Sequence, residues 1–92
     1  MALTPKGRQV LKARAHKLKP VIMIGNHGLS EAVKKETERA LQDHELIKVR
    51  VAGADRDTRR AVIAELCEAL EAELVQSIGN IAVIYRVNAE IE

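Results

Sequence analysis

Apolar positions along the chain fall into alternating helical and strand periods. Thr4-Pro5 opens the first helical stretch, with Thr as N-cap and Pro in the first turn. Leu3, Val10, Leu11 and Leu18 recur along one stripe, into which Arg14 intrudes. This helix must end by about Lys19, because Pro20 forces the residue before it out of helical geometry. Val21–Ile24 is apolar on both faces, the pattern of a central, covered strand. A second helix starts at Ser30, an N-cap followed by Glu31 at the positive end of the dipole, with Leu29, Val33, Ala40 and Leu41 as its stripe. "ELIKVRV" (45–51) alternates, with Ile47, Val49 and Val51 on one side and Leu46, Lys48 and Arg50 on the other.

After the loop "GADRD" (53–57), Asp57 can cap a third helix whose stripe holds Val62, Ile63, Leu66, Cys67 and Leu70. "LVQSIGNIAVIYRV" (74–87) reads as a hairpin turning at Gly79-Asn80. That turn sets Ile78 opposite Ile81, Gln76 opposite Val83 and Leu74 opposite Tyr85, a face expected to meet the helices. The other face, with Val75, Ser77, Ala82, Ile84 and Arg86, is expected to meet water or a ligand, and Lys48, Arg50 and Arg86 should share it. The predicted order is α-β-α-β-α-β-β. The first two strands are parallel across a helical crossover, so the class is α/β, with a four-stranded mixed sheet and helices mainly on one face. No repeat or Pro/Gly/Ser linker divides residues 1–92, which are expected to form a single domain.

Composition narrows the function. At 92 residues, 47% hydrophobic and 30% charged, the chain suits a small soluble domain with little room for a deep enclosed active site. It has no apolar run near the ~20 residues of a membrane span, and no secretory signal is expected from the N-terminus. One cysteine, Cys67, gives no disulfide framework and suits a reducing cytoplasm. The net charge of +2 hides an asymmetry. Residues 1–35 carry eight Lys/Arg against one acid, whereas residues 36–92 carry seven against twelve. That split suggests a basic face aimed at a polyanion.

The stretch "IMIGNHGLS" (22–30) carries the candidate chemistry: Gly25 and Gly28 bracket Asn26 and His27 between a strand and a helix start. A Gly-x-x-Gly loop at a helix N-terminus lets a phosphodiester backbone approach unpaired N–H groups without steric obstruction, as in KH domains. The motif alone leaves an ordinary strand-to-helix turn open. It is not a P-loop, since no lysine follows Gly28, and it lacks the third glycine of a dinucleotide fingerprint. Arg8, Lys12 and Lys19 fall along one edge of the first helical stretch, and Lys34 and Lys35 lie just beyond the loop. His16, His27 and His44 sit on three separate elements without zinc spacing, and His27 has no nucleophile or orienting carboxylate tied to it. Cys67, within an apolar stripe, reads as a buried structural thiol. Tyr85 is the single aromatic residue, which argues against readers that stack bases on aromatic rings.

"LKPVIMIGNHGLSEAV" (18–33), "HELIKVRV" (44–51) and "SIGNIAVIYR" (77–86) together resemble the CRM domain, the RNA-binding module of chloroplast splicing and ribosome maturation factors. They resemble most its stand-alone bacterial, YhbY-type form. The resemblance implies a fold similar to the C-terminal domain of translation initiation factor three. It also implies RNA binding through the Gly25–Gly28 loop and, for the bacterial form, association with precursors of the large ribosomal subunit. The expected RNA-binding residues are Gly25, Asn26, His27, Gly28, Lys12, Lys19, Lys34, Lys48, Arg50 and Arg86. The partner expected is ribosomal RNA, bound by a cytoplasmic monomer without catalysis, metal, cofactor, small-molecule substrate or membrane. A second reading is a protein-interaction adaptor docking through Val75, Ala82 and Ile84, and a third is a small-molecule enzyme using His27.

Overall fold

The computed structural model describes residues 3–25, 28–53 and 55–87. Its elements run α1 (Pro5–Ala15), β1 (Pro20–Ile24), α2 (Glu31–His44), β2 (Leu46–Val51), α3 (Arg56–Leu70), β3 (Glu73–Ile78) and β4 (Ile81–Tyr85). This is the α/β order expected from the hydropathy pattern. The four strands lie in the order β1-β2-β4-β3, with β1 and β2 parallel and both pairs involving β4 antiparallel.

Each helix start has a side-chain cap. The Thr4 hydroxyl accepts from the Gly7 N–H at 3.0 Å and the Ser30 hydroxyl from the Val33 N–H at 3.2 Å. The third cap is Asp55, whose carboxylate accepts from the Thr58 N–H at 2.7 Å, two residues before the Asp57 cap read from sequence. At its far end α3 stops on Glu71, a non-glycine residue in the left-handed region at φ 55°, ψ 41°. Glycine fits that conformation without a Cβ penalty. Glu71→Gly is therefore expected to stabilise the domain by about 0.5–1 kcal/mol, net of the entropy glycine adds to the unfolded chain, as measured by urea denaturation.

Helices cover both sheet faces unequally. α2 and α3 pack on one face, here the back, where Leu41, Ile63 and Leu66 meet Ile22, Ile24, Ile47, Val49, Val51, Ala82 and Ile84. Thr37, wholly buried on α2, satisfies its hydroxyl by donating to the Val33 carbonyl at 2.7 Å. On the front face α1 alone buries Leu11 and Ala15 against Leu46, Val75 and Val83, with Leu3 and Tyr85 at the margin. Its stripe is thus Leu11 and Ala15; Val10 and Leu18, assigned to it from sequence, are exposed. α1 covers the end of the front face where β2 begins and β4 finishes, and the other end is open.

Two strand readings change. β1 is an edge strand rather than a central one, so only Ile22 and Ile24 are buried, and Val21 and Met23 face out at 54% and 62% exposure. In the hairpin, Gly79 takes φ 57° in the first position of the two-residue turn, and the pairs Ile78–Ile81 and Gln76–Val83 form as expected. A bulge between Leu74 and Gln76 then shifts the register, setting Leu74 opposite Ile84 and Glu73 opposite Tyr85. One extra residue reverses the side-chain alternation for everything before it. Val75 accordingly joins Gln76 on the front, under α1, where Arg8 donates to the carbonyls of Leu74 and, at 3.4 Å, Val75.

These shifts overturn the adaptor surface. Val75, Ala82 and Ile84 are 2%, 2% and 0% exposed, packed beneath helices on opposite faces, so they offer no docking face.

Candidate nucleic-acid interface

The uncovered end of the front face is built by register. Met23 pairs with Arg50, Arg50 with Ile81, and Ile81 with Ile78, so the four make one row across all four strands. Met23, Arg50 and Ile78 are exposed, and Ile81 is half-buried. The next row brings Lys48 opposite Val83 and Val83 opposite Gln76. α1 forms the rim, and a cleft of about 200 Å³ opens between it and the sheet, lined by Lys12, His16, Lys48, Gln76, Ile78 and Ile81 among others. An ammonium from a helix and an ammonium from a strand thus face one hollow, with the Arg50 guanidinium in the adjoining row. The floor is apolar without aromatic rings.

The glycine loop adjoins this row. Gly25 directly follows Ile24, the last residue of β1, and the Gly28 N–H donates to the Gly25 carbonyl at 3.1 Å, closing a tight turn. Gly28 is at φ 72°. A Cβ on either glycine would meet no other described atom within 4 Å, so the space beside both is open. α2 begins three residues after Gly28 and directs its unpaired N–H groups to this end, tempered by the Ser30 cap and by Glu31 in the first turn. Asn26 and His27 lie outside the described residues. The same end gathers two more connections. The Ala52 N–H donates to the Ile24 carbonyl at 2.9 Å, and the Val51 N–H to the Asn80 carbonyl at 2.8 Å.

The remaining predicted positions separate. Lys19 lies beyond the end of α1, so it does not continue an edge with Arg8 and Lys12. It lines a second hollow with Arg14, Lys17, Val21 and His44 at the start of β1, roughly 17 Å of extended chain from Gly25. Lys34 lies in a groove of mixed charge between α2 and α3 with Glu31, Glu38 and Arg39. Arg86 does not share a face with Lys48 and Arg50. It turns to the back, donating to both Glu38 carboxylate oxygens at 2.9 and 2.6 Å and to the Leu70 carbonyl at 3.1 Å. These bonds hold the Glu38 carboxyl below its ordinary range, against the opposing effect of burial, and raise Arg86 further.

Cys67 is buried between α3 and the sheet, and burial, with Glu73 nearby, pushes its thiol up to about 11, far from a reactive thiolate. Among the described residues, no three His, Cys, Asp or Glu side chains converge as metal ligands, and no helix is long and apolar enough to cross a membrane.

With this geometry in view, comparison with known proteins is decisive. Residues 3–86 match the CRS1 / YhbY (CRM) domain. The chain belongs to the CRM domain family. As a CRM domain it is 52% identical over 88 residues to a Pseudomonas aeruginosa protein named "Probable RNA-binding protein", covering 96% of this chain and 85% of that one. It is 50% identical over 88 residues to a Haemophilus influenzae protein named "RNA-binding protein", covering 96% and 89%. The fold superposes with a TM-score of 0.81 on the solution structure of a hypothetical protein from Staphylococcus aureus, 38% identical, covering 99% of this chain and 98% of the other. These findings bear out the resemblance and the fold read from the sequence.

Sequence reasoning missed two parts of this end of the CRM domain. The hydropathy pattern places Met23, Ile78 and Ile81 in the core; Met23 and Ile78 are exposed because their strands are at the sheet edges and α1 leaves this end of the front face open, and Ile81 on the central β4 is half-buried. Arg56, Arg59 and Arg60 disappear into a segment acidic on average, although their spacing of three and four is a visible sign of one helix face.

Proposed function

We propose that this CRM domain binds RNA, specifically ribosomal RNA in precursors of the large subunit, as a cytoplasmic monomer that assists assembly without catalysing a reaction. The observation that carries the reading is the juxtaposition at one end of the sheet. An unobstructed glycine turn beside a helix N-terminus continues into an open row containing Arg50, flanked by Lys48 and Lys12. The names of the relatives support RNA as the ligand class, and the resemblance to the bacterial form supports the ribosomal assignment.

In this reading the sugar-phosphate backbone passes Gly25 and Gly28, where missing side chains allow close approach. Lys12, Lys48 and Arg50 neutralise phosphates along the front. Bases rest on Met23, Ile81 and Ile78, an apolar floor that every base can use and that reads little sequence. Lys19 lies at the far end of β1, where a longer strand running along the sheet edge would reach it.

The salt dependence of binding tests the charge component. Titration of the protein into a labelled ribosomal RNA fragment at rising KCl is expected to show steadily weaker binding. Lys12→Ala with Lys48→Ala should make the slope of log affinity against log salt shallower by about 0.7 for each phosphate no longer neutralised. A slope equal to that of the unsubstituted protein removes the front cleft from the interface. Crosslinking in cells, with the bound nucleotides mapped, tests the ribosomal assignment. Crosslinks to large-subunit ribosomal RNA are expected, and crosslinks confined to other RNAs would overturn it. A salt-insensitive complex formed without RNA would favour a protein partner.

A further inference from the structure

We propose that the first turns of α3 form a second phosphate-binding cleft, and that an RNA strand held at the glycine loop continues into it over the shared end of the sheet; this rests on the RNA-binding reading above. Arg56, Arg59 and Arg60 are three and four residues apart, so they project from one side of the helix. With Ser77 and Gly79 they line a cleft of about 310 Å³ on the back of the β3–β4 hairpin. Three guanidinium groups and two small residues make that lining, and among the described residues no carboxylate belongs to it. A guanidinium fork matches a phosphate with two parallel N–H bonds, which is the arrangement such a cleft would use.

Its position makes the cleft more than a solvated helix face. The turn Gly79-Asn80 is a narrow ridge, with Ile78 and Ile81 on the front and Ser77 on the back. A Cβ at Gly79 would meet no other described atom within 4 Å, so the ridge leaves room for a backbone to cross. β1 and β2 are parallel and each leads into a helix, so α2 and α3 both begin at this end, where loops of parallel sheets commonly receive ligands. Among the described residues, two acids lie next to Arg56 in the chain. Asp55 is engaged as the cap of α3, its carboxyl held below the ordinary range by its bonds with Thr58, with a smaller contribution from the charge of Arg59. Asp57 is exposed and does not line the cleft. Arg59 is half-buried and also walls a small neighbouring hollow with Val51, Ile63 and Ala82, whereas Arg56 and Arg60 are exposed. The latter two can therefore be changed without disturbing the core.

The test measures binding of a fluorescein-labelled oligouridylate by anisotropy at rising KCl, for the unsubstituted protein, R56A/R60A and R56K/R60K, with circular dichroism confirming each fold. R56A/R60A is expected to weaken binding about fivefold for each guanidinium–phosphate pair removed at ~0.1 M salt, and to make the salt slope shallower by about 0.7 for each such pair. R56K/R60K should keep most of the slope, because the charge remains. If the unsubstituted protein binds and R56A/R60A matches it in affinity and slope, this cleft is excluded while the RNA reading stands. An unsubstituted protein with no affinity for RNA at any salt concentration would overturn both.

Discussion

Gly25→Asp and Gly28→Asp are each expected to weaken RNA binding by about 30- to 150-fold, the equivalent of about 2–3 kcal/mol, with the domain still folded. Both substitutions place a carboxylate where the proposed phosphate backbone would lie, and like charges at an interface cost several kcal/mol. The two sites differ in what else they disturb. Gly28 is at φ 72°, so any side chain there adds backbone strain of about 1–2 kcal/mol, softened for Asp by local hydrogen bonding. Gly25 is not in the left-handed region, and a Cβ there meets open space, so Gly25→Asp carries the charge without the strain. At Gly28, two residues before the Ser30 cap, a carboxylate is also favourable to the α2 dipole, which offsets part of the strain there. Gly25→Ala supplies the steric control. Anisotropy titration beside a thermal melt separates the contributions. Equal, large losses in both Asp variants point to charge at the loop, a loss in Gly28→Asp alone points to backbone distortion, and unchanged affinity in both removes the loop from the mechanism.

The difference between the two glycines illustrates where the sequence is informative. Turn and cap chemistry is local, so Thr4, Ser30 and the Gly79-Asn80 turn are legible from neighbouring residues alone. Alternation in residues 45–51 correctly divides β2 into its two faces, because a regular strand has a period of two. One failure is local, the α3 cap, which is Asp55 rather than Asp57; those that reshape the sheet faces are non-local. Strand order is set by tertiary packing, and nothing in Val21–Ile24 itself says that β1 ends up at the sheet edge. The β3 bulge breaks the period at a single residue, and it is recognisable only from the partner strand and from the Arg8 guanidinium that takes up its carbonyls. Val75 therefore moves to the front, and Ala82 and Ile84, expected to face outward, face α2 and α3. The candidate site follows the same rule. Gly25 and Gly28 announce themselves as a motif, and Lys48 and Arg50 as the charged members of an alternating strand. Arg86 looks equivalent to them in sequence, but a carboxylate 48 residues away claims it.

Arg86→Ala is expected to lower stability by about 2 kcal/mol and the melting temperature by on the order of 10 °C, while leaving the RNA affinity of the folded protein unchanged. The side chain is 19% exposed and joins three acceptor oxygens on two helices, so its removal takes the guanidinium from the Leu70 carbonyl and from the Glu38 carboxylate, which keeps its bond from Gln42. A fully buried pair broken in this way costs about 3–5 kcal/mol. Glu38 is 39% exposed, so water compensates part of the loss and the smaller figure applies. The pH dependence identifies the interaction. Glu38 titrates below its ordinary 4.5 in the folded state, so the pair's contribution is fully present above that value and is lost as pH falls through the lower folded one. Arg86 stays protonated throughout and adds no dependence of its own. Urea denaturation at falling pH should therefore show the unsubstituted protein losing stability across that window, whereas Arg86→Ala, already without the pair, loses less. If Arg86→Ala instead retains full stability and binds RNA more weakly, Arg86 acts at the interface, and the clamp between α2 and α3 is incidental. The direction of that single comparison assigns the residue.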